Sequence, residues 1–177
     1  MKKRKPILLD FEVDKLTNSV VNVFTGDSFE TEVTPLTKAD LKTVTKKNGW
    51  SFNWAHELKQ TDREVHKLTI VNNSSVIQGL VSFSVRTDHV FMHLVESAPF
   101  NVGRHKIYEG VPGNLVAFAC QASFKNGLQG FVSFISKTKL IDHYIKSLGA
   151  YHFGGHLMVI STDPAQVLVN KYFNFKD

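Results

Sequence analysis

The feature that most constrains this fold is a run of three strand-like segments joined by very short turns. The segments cover about Val65–Val71, Val76–Arg86 and His89–Glu96, and the turns between them contain four and two residues. A connection between parallel strands needs about a dozen residues or more, so these turns can join only antiparallel neighbours. The sequence therefore predicts an antiparallel sheet at the centre of the fold.

Helices and further strands are predicted on either side of this segment of the chain. Thr37 followed by Asp40 forms a capping-box pattern that predicts the start of a helix. Apolar residues at helical spacing predict a longer helix over Gly113–Asn126, which Gly127 would end. The remaining predicted elements are strands at Phe29–Thr34, Gly130–Ile135 and Tyr151–Ile160 and helices at Asn53–Gln60, Thr138–Ser147 and from Asp163 onward.

The composition limits the class of protein. The chain has 177 residues and is 42% hydrophobic, which is enough for one domain with a substantial core. Its one cysteine excludes a scaffold held by intrachain disulfides. Because no apolar stretch approaches the length of a membrane span or a signal-peptide core, we expect a cytoplasmic protein with no membrane partner. The 21 basic and 16 acidic residues give a net charge of +5, which favours an anionic partner, but their dispersion argues against nucleic acid.

Two glycines stand at the start of the long predicted helix, in the segment Gly110-Val111-Pro112-Gly113. Free N–H groups and the positive end of the helix dipole suit such a turn to an anion, and glycine lets the backbone approach a phosphate closely. No Lys-Ser/Thr pair follows, so the turn is not a Walker A loop, and its spacing differs from a dinucleotide-binding fingerprint. A purely structural glycine turn is the alternative interpretation.

The element order, this turn and the later segment from Lys137 to Ala150 resemble the GNAT superfamily of acyl-CoA N-acyltransferases. The resemblance covers about Phe29 to Ile160 and divides the chain into an N-terminal extension, residues 1–28, and a GNAT-like domain, residues 29–177. It implies a mixed α/β (α+β) fold with a largely antiparallel central sheet. The sheet would be splayed between its fourth and fifth strands, with helices on both faces.

The resemblance also implies acetyl-CoA as the acyl donor. In the family a Q/R-x-x-G-x-G/A segment holds the pyrophosphate of coenzyme A, and Gly110 to Gly113 occupy that place here with one extra residue. Because Gln or Arg is missing at the usual offset, Arg104 or Lys106 in the preceding loop would supply the positive charge. The residues implied to bind coenzyme A, including strand backbone beside the pantetheine arm, are Leu94, Val95, Arg104, Gly110, Val111, Gly113, Asn114, Leu115 and Lys137.

Two side chains are candidates for acid–base chemistry. The resemblance places a general acid at Tyr144, whose alternative role is packing in the core. Glu96 closes an apolar strand and is the candidate base, acting directly or through water, with a solvated strand-end carboxylate as the alternative. Glu109 in the adjacent loop is the second candidate base.

The other reactive side chains receive minor or structural roles. His89 and His93 lie on one strand face without a cysteine cluster, so we expect no metal site. His143 and His152 are candidates for lining a substrate channel, and Cys120 is assigned to the core. The aromatic residues assigned to the core, with shaping of the acceptor site as the alternative, are Trp50, Phe52 and Trp54.

These features together predict an enzyme that moves an acetyl group from acetyl-CoA directly to an unidentified amine, with a homodimer left open. One alternative is a degenerate GNAT-like fold that binds coenzyme A or a protein partner without catalysis. The other is a small basic nucleic-acid-binding protein, whose affinity would fall steeply with salt concentration.

Overall fold

The computed structural model describes residues 5–173, and a mixed sheet flanked by helices forms its centre. The strands are β1 (Val20–Asn22), β2 (Ser28–Phe29), β3 (Thr31–Pro35), β4 (Glu64–Ile70), β5 (Asn73–Val85), β6 (Val90–Ser97), β7 (Tyr108–Glu109), β8 (Val132–Ile135), β9 (Tyr151–Gly154) and β10 (Leu157–Ile160). The helices are α1 (Trp54–Lys59), α2 (Val111–Lys125), α3 (Ile141–Leu148) and α4 (Thr162–Phe173), with short 3-10 turns at Asp40–Lys42, Lys46–Asn48, Pro99–Asn101 and Thr138–Leu140.

The central sheet has the strand order β3-β4-β5-β6-β8-β10-β9. The predicted antiparallel meander is confirmed as β4, β5 and β6, and every neighbouring pair in this sheet is antiparallel except β6 and β8. A second, small sheet has the order β2-β1-β7. The predicted fold class, a mixed α/β fold with a largely antiparallel sheet, is therefore confirmed.

The parallel pair of β6 and β8 separates after two residues. Val90 pairs with Val132 and Phe91 with Ser133, whereas β6 continues to Ser97. Beyond Phe91 no strand among residues 5–173 pairs with this edge of β6. The predicted splay between the fourth and fifth strands of the sheet is thus present between β6 and β8. It opens a gap at the carboxyl ends of these two parallel strands.

Helices cover both faces of the sheet. Because successive residues of a strand point to opposite faces, β5 contacts a helix on each side. On β5, a Cβ atom added to Gly79 would lie 2.7 Å from Val111 of α2, and the Phe83 ring lies 6.0 Å from that of Phe118 in the same helix. Ser82, on the other face, donates a hydrogen bond to Glu57 of α1 at 2.8 Å. The small residue at position 79 allows α2 to pack close to the sheet.

Two predicted elements differ from the structure. The single strand predicted over Tyr151–Ile160 is a hairpin of β9 and β10, since Gly154 and Gly155 both adopt positive φ angles that turn the chain. The helix predicted from Thr37 is only a 3-10 turn, although its capping bonds form. The Thr37 N–H donates to the carboxylate of Asp40 at 2.8 Å, and the Asp40 N–H donates to the Thr37 hydroxyl at 3.3 Å.

The predicted N-terminal extension is built into the domain. Leu9, Val13 and Val20 are buried in the same hydrophobic core as the central sheet. The predicted boundary at residue 28 falls inside β2, which pairs with β1. Residues 1–4 and 174–177 of the two predicted units lie outside the described residues. Within residues 5–173, no helix combines the length and apolar character needed to cross a bilayer.

A buried polar cluster lies between β5, β6 and α1, around His93. This histidine is the extra residue of a bulge, because Ser82 pairs with Leu94 and Phe83 with Met92. Its ring is hydrogen-bonded to the Ser84 hydroxyl at 2.6 Å. Desolvation, followed by the charge of Arg63, lowers the pKa of His93 to about 4 and outweighs the opposing charges of nearby carboxylates.

We expect this histidine to make the free energy of unfolding depend on pH. The unfolded chain takes up a proton at His93 near pH 6.5, but the folded chain does so only near pH 4, so stability falls as pH decreases through this window. Urea unfolding of the wild type and of His93→Gln between pH 7 and about 4.5 measures the effect. The variant should show a shallower decline, and an equal slope in both proteins would contradict the assignment.

Candidate active site

A cavity of about 640 Å³ lies beside the unpaired edge of β6. Val95, Glu96 and Ser97 form one wall, and residues of the N-terminal segment, Phe11 and Asp14 among them, form the opposite wall. Phe52 also lines the cavity, whereas Trp50 and Trp54 of the same aromatic group are buried in the core. The cavity therefore lies between the unpaired edge of β6 and the N-terminal segment, which pairs with the end of β8.

The first turn of α2 meets this cavity and binds an anionic group of the chain itself. Gly110 adopts a left-handed conformation with φ 93° at the helix N-cap, and its N–H donates to the Asp14 carboxylate at 3.2 Å. Lys106 pairs with the same carboxylate at 3.1 Å, and the Asp14 side chain is only 16% exposed. The start of α2 thus holds a carboxylate of the chain itself, through a helix N-terminus and a lysine ammonium.

The structure corrects three of the residues assigned to this anion site. Lys106 lines the cavity, whereas Arg104 is exposed to solvent. The Asn114 backbone N–H donates to the Gly110 carbonyl inside the helix, and its fully buried side-chain amide donates to the Thr31 hydroxyl at 2.7 Å, so this residue is occupied by contacts within the protein. Leu115 is fully buried in the core. Gly110, Val111 and Gly113 remain candidates for the anion site, because they lie at the start of α2 and carry backbone N–H groups. Pro112 between them has no N–H.

Tyr144 is fully buried, and it contacts Phe11, which lines the cavity. Its hydroxyl donates to the carbonyl of Phe11 at 2.6 Å, and its ring packs against the Phe11 ring at 4.9 Å. Desolvation, followed by the charges of Asp10 and Glu12, raises the pKa of the Tyr144 hydroxyl well above its usual value. In this conformation the hydroxyl is a structural donor to the N-terminal segment, not a proton donor open to the cavity.

Glu96 lies on the cavity wall, but its carboxylate also anchors the segment before α1. Ser51 N–H donates to it at 2.7 Å, Phe52 N–H at 3.3 Å and the Trp54 indole N–H at 2.8 Å. These three donors fill most of the roughly four acceptor positions of a carboxylate. The solvated strand-end alternative is therefore wrong, because this carboxylate ties two distant segments together.

The remaining candidates are divided between the cleft and the periphery. Lys137 pairs with Asp10 at 2.7 Å at the end of β8, and His143 accepts a hydrogen bond from the Val13 N–H at 2.8 Å. His152 bonds instead to Gly155 within the β9–β10 hairpin, which removes it from the predicted channel. Two further candidates do not line the cavity. Cys120 is fully buried in α2, and Glu109 forms an ion pair with Lys15 at 3.7 Å.

No group of three or more His, Cys, Asp and Glu side chains among residues 5–173 is arranged to hold a metal ion. The segment that lines the cavity and that the sequence did not predict runs from residue 9 to residue 19. Its strand-like alternation of apolar and acidic residues, Leu9 to Asp14, was the available signal. Leu9 and Val13 are buried while Asp10 and Glu12 are exposed, as that alternation predicts.

Comparison with solved structures identifies the fold. The ribosomal-protein-S18-alanine N-acetyltransferase of Escherichia coli matches with a TM-score of 0.52 and 14% identity, covering 73% of this chain and 92% of that chain. Spermidine N-acetyltransferase of Vibrio cholerae, in complex with CoA and spermine, matches with a TM-score of 0.51 and 11% identity, covering 77% and 98%. A mutant of the toxin AtaT, bound to the C-terminus of the antitoxin AtaR and acetyl-CoA, gives 0.54 and 14%, covering 78% and 98%.

No protein-family model and no curated protein sequence matches this chain. The structural matches show that the chain has the fold of the GNAT acyl-CoA N-acyltransferases, as its sequence resemblance implied.

The anchoring role of Glu96 is testable by its effect on stability. Glu96→Gln places an amide N–H₂ where N–H donors already point, so we expect a loss of about 1–3 kcal/mol in the free energy of unfolding. Glu109→Gln is the matched control, because its ion pair with the exposed Lys15 should contribute about 1 kcal/mol or less. Equal losses in the two variants, measured by urea denaturation, would contradict the anchoring role.

Proposed function

We propose that this chain is an acyl-CoA N-acyltransferase that moves an acetyl group from acetyl-CoA to an amine by direct transfer. The observation that carries the proposal is the gap between β6 and β8, with a cavity beside the unpaired β6 edge and an anion-binding helix start at one end. The fold it shares with N-acetyltransferases, some of them bound to CoA or acetyl-CoA, supports the same reaction class.

Acetyl-CoA would bind across the unpaired edge of β6 and the start of α2. An unpaired strand edge offers backbone N–H and C=O groups to an extended chain, which suits the amide-bearing pantetheine arm to the backbone of Leu94 to Glu96. The pyrophosphate would replace the Asp14 carboxylate at the Gly110 N–H and Lys106, since both groups are anions. Lys137, at the end of β8, would supply a second positive charge.

The transfer itself needs orientation and two proton movements. The amine nitrogen attacks the thioester carbonyl carbon, the C–S bond breaks, and the departing thiolate takes a proton. We assign that proton to the Tyr144 hydroxyl, once its bond to the Phe11 carbonyl is released. Glu96 keeps about one acceptor position beyond its three N–H donors, and we assign it to receive the amine proton, directly or through water.

Donor binding is tested by comparing coenzyme A with pantetheine in isothermal titration calorimetry. Pantetheine lacks the nucleotide diphosphate, so it should bind more weakly, and Lys106→Ala should reduce the ratio of the two affinities about tenfold. The matched control Arg104→Ala should leave the ratio unchanged, because that side chain is exposed away from the cavity wall. Taking a ratio cancels any effect of the substitution on the apo conformation.

Absence of coenzyme A binding at millimolar concentration, in the wild type and in every variant, would contradict the enzyme and favour the alternative of a GNAT-like fold that binds a protein partner. Binding with an unchanged ratio in Lys106→Ala would contradict the assigned pyrophosphate site alone.

The proton donor is tested by Tyr144→Phe. If the hydroxyl protonates the thiolate, kcat at saturating acetyl-CoA should fall about 10²-fold or more, while the affinity for coenzyme A should not weaken. Release of coenzyme A thiol in the presence of a panel of amines measures the rate. An unchanged kcat would mean that solvent supplies the proton.

A further inference from the structure

The N-terminal segment Leu9–Ser19, here called the strap, lies in the cleft that the acyl donor would use. It contains an acidic face of three carboxylates, Asp10, Glu12 and Asp14, and an apolar face that includes Leu9 and Val13. Its contacts with the rest of the domain fall on residues already named for donor binding and catalysis.

One end of the strap is paired with β8, on the open side of the gap. The Leu9 N–H donates to the Ile135 carbonyl at 2.7 Å, and the Lys137 N–H donates to the Leu9 carbonyl at 3.0 Å. Asp10 pairs with the Lys137 ammonium at 2.7 Å. The strap thus takes the strand-like bonds and the positive charge at this end of the cleft.

The other end of the strap lies over the start of α2. Asp14 accepts from the Gly110 N–H and pairs with Lys106. A Cβ atom added to Gly113 would lie 2.8 Å from the Leu16 side chain, so this residue covers the next turn of the helix. Further along, the Thr17 N–H donates to the Tyr172 hydroxyl at 3.0 Å. A phosphate group at the helix start would meet the strap at each of these positions.

Between its ends the strap covers the proposed acid. The Phe11 carbonyl accepts a hydrogen bond from the Tyr144 hydroxyl at 2.6 Å. The Phe11 ring packs against the Tyr144 ring, and Phe11 also lines the cavity. Tyr144 cannot give a proton to a thiolate while this bond is in place.

We propose that the strap is autoinhibitory: it occupies the donor cleft as an internal competitor, and it must leave the start of α2 before the acyl donor can bind. This inference rests on the proposed function. Both ends mimic an anionic ligand, because carboxylates occupy the two lysines and the helix N-terminus. The apparent donor affinity would therefore equal the intrinsic affinity multiplied by the fraction of molecules in which the strap is displaced.

The strap is held to the central sheet by few backbone bonds, although its apolar residues pack in the core. Among residues 5–173, one isolated bridge joins the strap to the central sheet, and the rest of its bonds are individual contacts, not a continuous ladder. Segments with few backbone bonds open at a lower free energy than sheet strands do. The chain after the strap stays fixed, because Val20 in β1 is buried and β1 pairs with both β2 and β7.

The test combines hydrogen exchange with calorimetry on the full chain, using coenzyme A as the probe. In the free protein the N–H groups of Leu9, Val13 and Thr17 should be protected, because each donates a hydrogen bond. Saturating coenzyme A should make them exchange faster while the central strands become slower. Point variants are preferred to deletion of the strap, since its apolar residues belong to the core.

Asp14→Ala removes both contacts at the start of α2, so it should bind coenzyme A about tenfold more tightly than the wild type. Glu12→Ala is the matched control: it removes the same charge from the same segment, but from a cavity-lining carboxylate that contacts neither Gly110 nor Lys106, so its gain in affinity should be several-fold smaller than that of Asp14→Ala. Asp14→Asn, which keeps the shape of the side chain, should fall between the two.

The outcomes separate this inference from the proposed function. Binding of coenzyme A by the wild type with strap amides still protected, or with no gain in Asp14→Ala, would overturn the strap proposal and leave the transferase proposal standing. Equal gains in affinity in Asp14→Ala and Glu12→Ala would mean that the net charge of the segment causes the effect, and this result would also overturn the strap proposal. Failure of every variant to bind coenzyme A would overturn both proposals.

Discussion

The separation of β6 from β8 is the constraint on which the rest of the site depends. Two parallel strands that pair only at Val90–Val132 and Phe91–Ser133 leave an unpaired edge and a gap in an otherwise continuous sheet. Unpaired backbone groups and apolar residues such as Phe134 must then be covered by something else. The fold solves this with the N-terminal segment on the β8 side and leaves the cavity on the β6 side.

The residues proposed for catalysis therefore also make structural contacts. Tyr144 gains a hydrogen-bond partner in the Phe11 carbonyl, which a buried hydroxyl needs, but the bond uses the proton that catalysis would require. Glu96 holds the segment before α1 through three N–H donors and keeps little acceptor capacity for a substrate. Under the proposed function, a substitution at either residue would change folding and turnover together, because the same polar atoms serve both.

The anion site at α2 shows how a helix start can be completed from within the chain. Gly110 adopts φ 93° and exposes its N–H, and the helix dipole and Lys106 add positive potential. The Asp14 carboxylate satisfies these groups in the free protein. An external phosphate has to compete with a carboxylate that is tethered nearby, which makes the strap an effective competitor even if each contact is weak.

Local chemistry in the sequence determined the meander, the long helix and the position of the glycine turn. Turns of two and four residues admit only antiparallel neighbours, and Gly110 with Gly113 marks the start of α2 whatever the rest of the chain does. The residues that contact this turn and Tyr144 could not be predicted in the same way. Asp14 is 96 positions from Gly110, and the Phe11 carbonyl is 133 positions from Tyr144, distances at which no residue pattern specifies pairing. Only tertiary packing decided that the N-terminal segment fills the gap, because its alternating residues fit any open strand edge equally well.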